Sequence, residues 1–417
     1  MRPNLLKLVL LFSLTGFYQP SLLAADRLTI EVRETAGIRR FGYPVEVELA
    51  LPMAINSDTP FRLLGPSGPI TAQFRPAFGE PTGRRWWLDF SLNLLPHESR
   101  AFSIEYGADV VLMNSRGGLG LRELEQEFQI TSGNVLDWRI PKNLNGLVNS
   151  LTHTNVQQLD SSGLGLFLML ADGSRKSVAE LTTSVQRTPW TVKRSGPLAI
   201  RLDRHDELRV DGLRSITSDL RLQFVNTKSW VLVDWRLTNV ASNVRGLGCE
   251  LKMKLGQQQP ASSISNRTIV DFGGTSWTYA QVAIGQEAAL LGFPSRGEPN
   301  SPQRNWEVRH GKIGSAEPYV VGPGHQSPQL PEGWAHVMDS QMCLALAVDK
   351  FAQEHLDALT VRGDGTTLIS RSFATEPSPA AIDLRFWLHF VTNPPHISAA
   401  TSPQAMLAPL VVSIKSP

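Results

Sequence analysis

The chain has 417 residues, of which 19% are charged and 8% aromatic, the balance of a folded protein with a sizeable core and not of a disordered one. Its formal charge of +2 rests on Arg2 and Lys7, so everything beyond residue 25 is neutral overall. With no basic stripe either, nucleic acid is excluded as the expected partner.

The first residues, MRPNLLKLVLLFSLTGFYQPSLLAAD, have a basic start, an apolar run from Leu8 to Phe17, a break at Pro20 and small residues at Ala24 and Ala25. This pattern predicts a signal peptide over 1–25, its apolar run being too short to span a bilayer. No later segment has eighteen unbroken apolar residues, so the expectation is a secreted or periplasmic protein with no membrane span. Only two cysteines follow, Cys249 and Cys343. A disulfide between them would close a long loop and contribute roughly 4–5 kcal/mol. The alternative, slightly preferred, is two buried thiols acting as small hydrophobes.

From 26 to 113 short strands alternate with Pro/Gly turns, which predicts a β-sandwich of about 85 residues. Leu28, Ile30 and Val32 alternate, then Val45, Val47, Leu49 and Leu51, then Phe102, Ile104 and Tyr106. In GRRWWLDFSL, Trp86, Leu88, Phe90 and Leu92 share the core face, leaving Arg85, Trp87 and Asp89 outside. An outward Trp beside Arg suits stacking on a sugar ring, and equally suits packing against a neighbouring domain.

RGGLG (Arg116–Gly120) reads as a linker, and 121–396 as one large antiparallel β domain of about 280 residues. SGPLAIRL, SDLRLQFV and SWVLVDWRLTN give long strands, the last with Val231, Val233, Trp235 and Leu237 inward and Asp234 and Arg236 outward. Gln257 to Pro331 is Gly/Pro/Ser-rich and predicts a long loop region with two short strands, at Ser276–Ile284 and Leu290–Phe293. It carries Arg304, Trp306, Arg309, His310, Tyr319, His325 and the formal glycosylation sequon Asn266-Arg267-Thr268. Basic, aromatic and imidazole groups together suit an anionic sugar, and equally a solvated excursion.

The stretch Pro331–Pro395 organises the domain. Met342, Leu344, Leu346 and Val348 share one face, and Leu384, Phe386, Leu388 and Phe390 line the core, opposite Asp383, Arg385, Trp387 and His389. Residues 397–417 read as a C-terminal tail. Candidate sugar contacts are therefore Arg85, Trp87, Trp306, Arg309, Trp334, Arg385, Trp387 and His389, rings stacking while guanidinium forks meet carboxylates.

The ordered blocks GWAHVMD, VDKF, HLDALTVRGDGTTL and LRFWLHF, with SGPLAIRL and WVLVDWRLTN before them, resemble the β half of the YetA-like, exo-rhamnogalacturonan-lyase-like proteins. That resemblance implies the supersandwich shared by polysaccharide lyases and mutarotase-like proteins. It also implies an α/α-toroid after the β domains, and the resemblance here covers the β half alone. No strong catalytic signature is present, and only His310 and His336 offer a base for β-elimination. The expected function is therefore non-catalytic binding of an acidic, pectin-like polysaccharide, with no metal or other cofactor, although calcium is compatible. Two alternatives stand: a rhamnogalacturonan-type lyase, complete or finished by a separate toroid protein, and a structural envelope module.

Overall fold

The computed structural model describes residues 26–77, 82–111, 118–133, 135–143, 146–187, 189–210, 215–226, 229–254, 268–273, 279–294, 306–322, 333–339, 342–373, 379–391 and 403–415. The expected leader, Asn266, Arg267, Arg304, His325 and the side chain of Tyr319 lie outside these. The fold is all-β: an N-terminal sandwich followed by a large antiparallel supersandwich.

The sandwich packs a five-stranded sheet on a three-stranded one. In the first, Asp26–Arg33 pairs with Ser99–Tyr106, which pairs with Phe61–Gly65 and then Gly68–Ile70. In the second, Thr82–Leu94 lies between Arg40–Asn56 and Ala72–Pro76. Period-two alternation sets the register: Ile30 faces Phe102 and Leu28 faces Ile104 across one pair, Val47 faces Leu88 across another. These residues are buried together with Trp86 and Phe90.

The C-terminal segment does not trail away. A short helix, Gln404–Leu407, leads into the strand Val411–Lys415, which pairs antiparallel with Asp26–Arg33 at the sheet's edge. Arg40, 1% exposed, holds the helix by donating to the carbonyls of Ala405 and Ala408 at 2.9 and 2.6 Å while pairing with Glu34 at 2.9 Å. Both ends of the described stretch, Asp26–Arg33 and Val411–Lys415, therefore belong to the sandwich.

The supersandwich is built on a ten-stranded sheet. Its centre runs Ala199–Arg209, Ser215–Val225, Trp230–Thr238, Ala381–Val391, Cys343–Val348 and Trp334–Met338, all antiparallel. The inner face of this sheet presents Phe224, Val233, Trp235, Leu384, Phe386, Leu388 and Phe390, all at most 1% exposed, to an eight-stranded sheet and a five-stranded meander. Trp138 of the meander meets Phe224 and Phe390 edge-on, both at 5.4 Å.

Gln257–Pro331 holds more strand than expected, although the expected strands at Ser276–Ile284 and Leu290–Phe293 overlap Tyr279–Val282 and Gln286–Gly292. Within its described residues run five strands: Thr268–Phe272, Tyr279–Val282, Gln286–Gly292, Trp306–Lys312 and Glu317–Gly322. Their Gly and Pro residues punctuate short strands paired mostly with sequence neighbours, two of which are tied in from afar: Thr268–Phe272 joins Trp334–Met338 and Gln286–Gly292 joins Leu356–Arg362. Cys249 and Cys343 are free, buried thiols on different sheets. Burial raises both, Cys343 to about 12.

Candidate functional site

The outer face of the ten-stranded sheet is laid out in cross-strand rows fixed by register. One row runs Trp230, His389, Ala345, His336, and the next Gln223, Leu232, Trp387, Ala347, Trp334. Beyond them the chemistry changes. A third row is Asp203, Arg221, Asp234, Arg385, and a fourth is His205, Asp219, Arg236, Asp383. In both charged rows cation and anion alternate from strand to strand, the arrangement in which directly opposed side chains attract.

The sandwich covers the aromatic rows. Trp230 and Ala347 are buried in its core cluster, with Val225, Trp334 and Trp387 packed against it, and Trp230 meets Tyr43 edge-on at 5.7 Å. The charged rows stay open and floor a cleft of about 770 Å³ whose rim includes Thr191, Lys193, Asp349 and Lys350. Covering one half of a sheet face and leaving the other half wet is what makes this cleft.

Inside it the guanidinium groups are held by carboxylates. Arg385 pairs with Asp234 at 2.9 Å, Arg221 reaches Asp234 at 3.4 Å and Asp203 at 3.8 Å, and Arg201 forks onto Asp203 at 2.7 and 2.6 Å. Burial lowers the Arg221 pKa, with the neighbouring Arg201 adding to it. His205 Nδ1 lies 2.7 Å from Asp219, whose hydrogen bond raises the imidazole above its ordinary range.

The rim at Asp349 and Lys350 is a strained loop clamped from below. Lys350 and Ala352 sit at φ of 52° and 57°, left-handed values that non-glycine residues avoid. Arg371, 2% exposed, forks onto Asp357 at 2.9 Å and donates to the carbonyls of Asp349 and Lys350 at 2.8 and 3.3 Å. Asp357 in turn accepts from the Ala352 amide at 2.9 Å.

The sequence candidates are dispersed over the molecule. Arg385 alone lies in the cleft. Trp387, Trp334 and His389 lie under the sandwich, Trp334 over Gly273, where an added Cβ would fall 1.7 Å from its ring. Trp87 is no open platform, because the Arg194 guanidinium stacks on its ring at 4.2 Å. Arg85 pairs with Glu48 on the sandwich. Trp306 is a core residue, 2% exposed, so it has no ring face for a sugar. Arg309 is paired with Glu307 at 2.5 Å on the eight-stranded sheet, and His310 Nε2 lies 3.1 Å from the Gln281 carbonyl. His336 is 2% exposed and on the other sheet, beside Trp334 at 5.3 Å, so the two histidines form no common site.

Sequence reasoning missed Asp203, His205, Asp219 and Arg221, although a signal existed. The alternation in AIRLDRHDELR that buries Ile200 and Leu202 turns Arg201, Asp203 and His205 outward. Among the described residues no cluster of three or more His, Cys, Asp or Glu is placed to hold a metal ion.

No family model and no curated protein matches the chain. Solved structures do. An α-mannosidase from Enterococcus faecalis V583 is similar over 94% of this chain and 47% of its own, with a TM-score of 0.56 and 10% identity. A glycosyl hydrolase family 38 protein from Enterococcus faecalis is similar over 94% and 49%, at 0.52 and 10%. A putative aldose 1-epimerase from Klebsiella pneumoniae overlaps 64% of this chain and 79% of its own at 0.39 and 9%. The likeness is one of fold. The chain spans about half the length of the two hydrolase chains.

Proposed function

We propose that this is an exported, non-catalytic carbohydrate-binding protein whose glycan lies in the charged cleft. The observation that carries the reading is the pair of alternating Asp/Arg rows. A sugar hydroxyl both donates and accepts, and these rows set acceptor carboxylates and donor guanidinium groups side by side in positions held by their mutual pairing. The fold likeness to an α-mannosidase supports a carbohydrate setting. The acidic, pectin-like ligand suggested by the resemblance to rhamnogalacturonan-lyase-like proteins is the finer form of the same proposal. Arg221 and Arg385 already share carboxylates, so Lys193, Arg236 and Lys350 are the groups to meet a uronate.

A second reading, polysaccharide lyase, has one observation in its favour: an imidazole–carboxylate pair, His205–Asp219, stands in the cleft. A lyase needs a base that takes the C5 proton, and Asp219, by raising the His205 pKa, makes the neutral ring a stronger base while keeping it protonated over more of the pH range. The experiment is calorimetric titration with neutral oligosaccharides and with rhamnogalacturonan fragments, plus an ultraviolet assay for unsaturated product with and without calcium. Binding without turnover is expected. No heat from either glycan set sinks the binding proposal, whereas steady product lost in His205→Ala establishes the lyase. Activity appearing only when a separate toroid protein is added points to a split enzyme.

A further inference from the structure

A second cavity, of about 220 Å³, lies between the sandwich and the aromatic rows, closed on its third side by Met406, Pro409 and Leu410 of the C-terminal segment. Pro409 is exposed and Leu410 half-buried, which puts its mouth at that segment. Two features distinguish it from ordinary interdomain packing.

The first is its walls. Tyr43, Trp230 and Trp387 line it, with Leu232 and Val225, so ring faces and aliphatic groups predominate. Its volume lies below the range of extended-ligand pockets and suits one six-membered ring.

The second is its charge. Glu46 and Asp89 both line it, and Arg194, 1% exposed at the side chain, bridges them by donating to Asp89 Oδ1 and to Glu46 Oε1, both at 2.7 Å, with Arg75 acting on Asp89 and Arg201 on Glu46 through charge alone. Gln223 takes the other Glu46 oxygen at 2.6 Å. Asp89 Oδ2 has no hydrogen-bond partner among the described residues, although Asp89 is only 4% exposed. A buried carboxylate oxygen without a donor is costly. Arg194 gives Nη1 and Nη2 to the two carboxylates with its face on Trp87 at 4.2 Å, and its Nε, also without a hydrogen-bond partner among the described residues, makes no bond to this oxygen.

We infer that this interdomain cavity binds a single six-membered ring bearing a protonated amine. The ammonium would donate to Asp89 Oδ2, which no donor among the described residues reaches, and the ring would lie against Trp387 and Trp230. Aromatic walls with a carboxylate at one end are the recurrent chemistry of small-cation recognition. A neutral ring would fill the space and leave the carboxylate oxygen bare. The site is separate from the charged cleft and does not depend on the reading given to it.

The probes are glucosamine and cyclohexylamine, with glucose and cyclohexanol as neutral counterparts, each followed by the thermal midpoint of the full chain. Both amines should raise the midpoint by several degrees at millimolar concentration, and the neutral rings should not. Asp89→Asn should remove the difference between each amine and its neutral counterpart. Trp387→Ala, which leaves the carboxylates in place, should weaken binding of both amines at least tenfold and keeps the test open should the first variant fold poorly. Absence of any amine-specific shift in the wild-type protein overturns the inference. So does an amine shift that persists unchanged in a folded Asp89→Asn protein.

Discussion

Arg194 is the residue on which the junction between the two domains turns. It comes from the supersandwich, lies with its plane on Trp87 and bridges Asp89 and Glu46 of the sandwich. Burial drives the Asp89 carboxyl up, from 3.8 to about 7; Arg194 opposes it, Glu46 adds to it and Arg75 opposes it more weakly. Burial also presses upward on Glu46, but the charge and hydrogen bond of Arg194 bring it below its ordinary range. A carboxyl that holds its proton more tightly folded than unfolded adds stability that is complete below its unfolded value and gone above its folded one. For Asp89 that loss runs from about pH 4 to about pH 7. Glu46 contributes in the opposite sense, and its loss lies at more acid pH. Asp89→Asn, which cannot ionise, should therefore gain on the wild-type protein by a few degrees of thermal midpoint between pH 5 and pH 8. A difference that stays flat over that range would show Asp89 to be an ordinary carboxylate. The sequence placed Trp87 and Asp89 on the outer face correctly, because alternation decides sides. It could not say what covers them, because Arg194 stands more than a hundred positions away.

At the scale of elements, the strand Ala381–Val391 shows most plainly how alternation assigns roles. Leu388 is 1% exposed on the core face, while Arg385 stands at the cleft with its side chain 38% exposed. Leu388→Asp should leave no cooperative unfolding transition, since it buries an unpaired charge. Arg385→Ala should cost less than about 1 kcal/mol, as expected for a part-exposed pair. Urea denaturation of the two variants checks both. The loop from Asp349 to His355 is held differently, by the Arg371–Asp357 pair, whose side chains are 3% and 1% exposed. Removing one partner strands a buried charge, so Arg371→Ala should destabilise by about 3–5 kcal/mol. A loss under about 1 kcal/mol would mean that the clamp is not what holds the cleft rim. The loop was not legible in the sequence, and of the five strands within 257–331 only Tyr279–Val282 and Gln286–Gly292 were, in part, by the expected strands at Ser276–Ile284 and Leu290–Phe293. Left-handed Lys350 and Ala352 have no turn residue to announce them, and a strand such as Gln286–Gly292 is fixed in its sheet by Leu356–Arg362, far along the chain.

For the whole molecule, the fold class was legible and the site largely was not, for one physical reason. Period-two patterning records which side of a strand meets a core, and it does so in nearly every long segment. A ring that faces a second domain and a ring that faces a ligand carry the same pattern, so Trp87, Trp334 and Trp387 read as open when the sandwich or Arg194 covers them. What remains open is the charged half of one sheet face, and the central claim is that glycan binds there. Calorimetric titration of the best-binding oligosaccharide into wild-type protein, Asp234→Ala and His336→Ala tests it most directly. The account predicts that Asp234→Ala weakens binding roughly tenfold or more, the loss of charge-assisted hydrogen bonds. It predicts that His336→Ala, at a residue buried beside Trp334 and outside the cleft, leaves affinity within about twofold wherever the variant remains folded. Affinity unchanged in Asp234→Ala and lost in a folded His336→Ala would contradict it, and would move the glycan from the charged cleft to the aromatic rows.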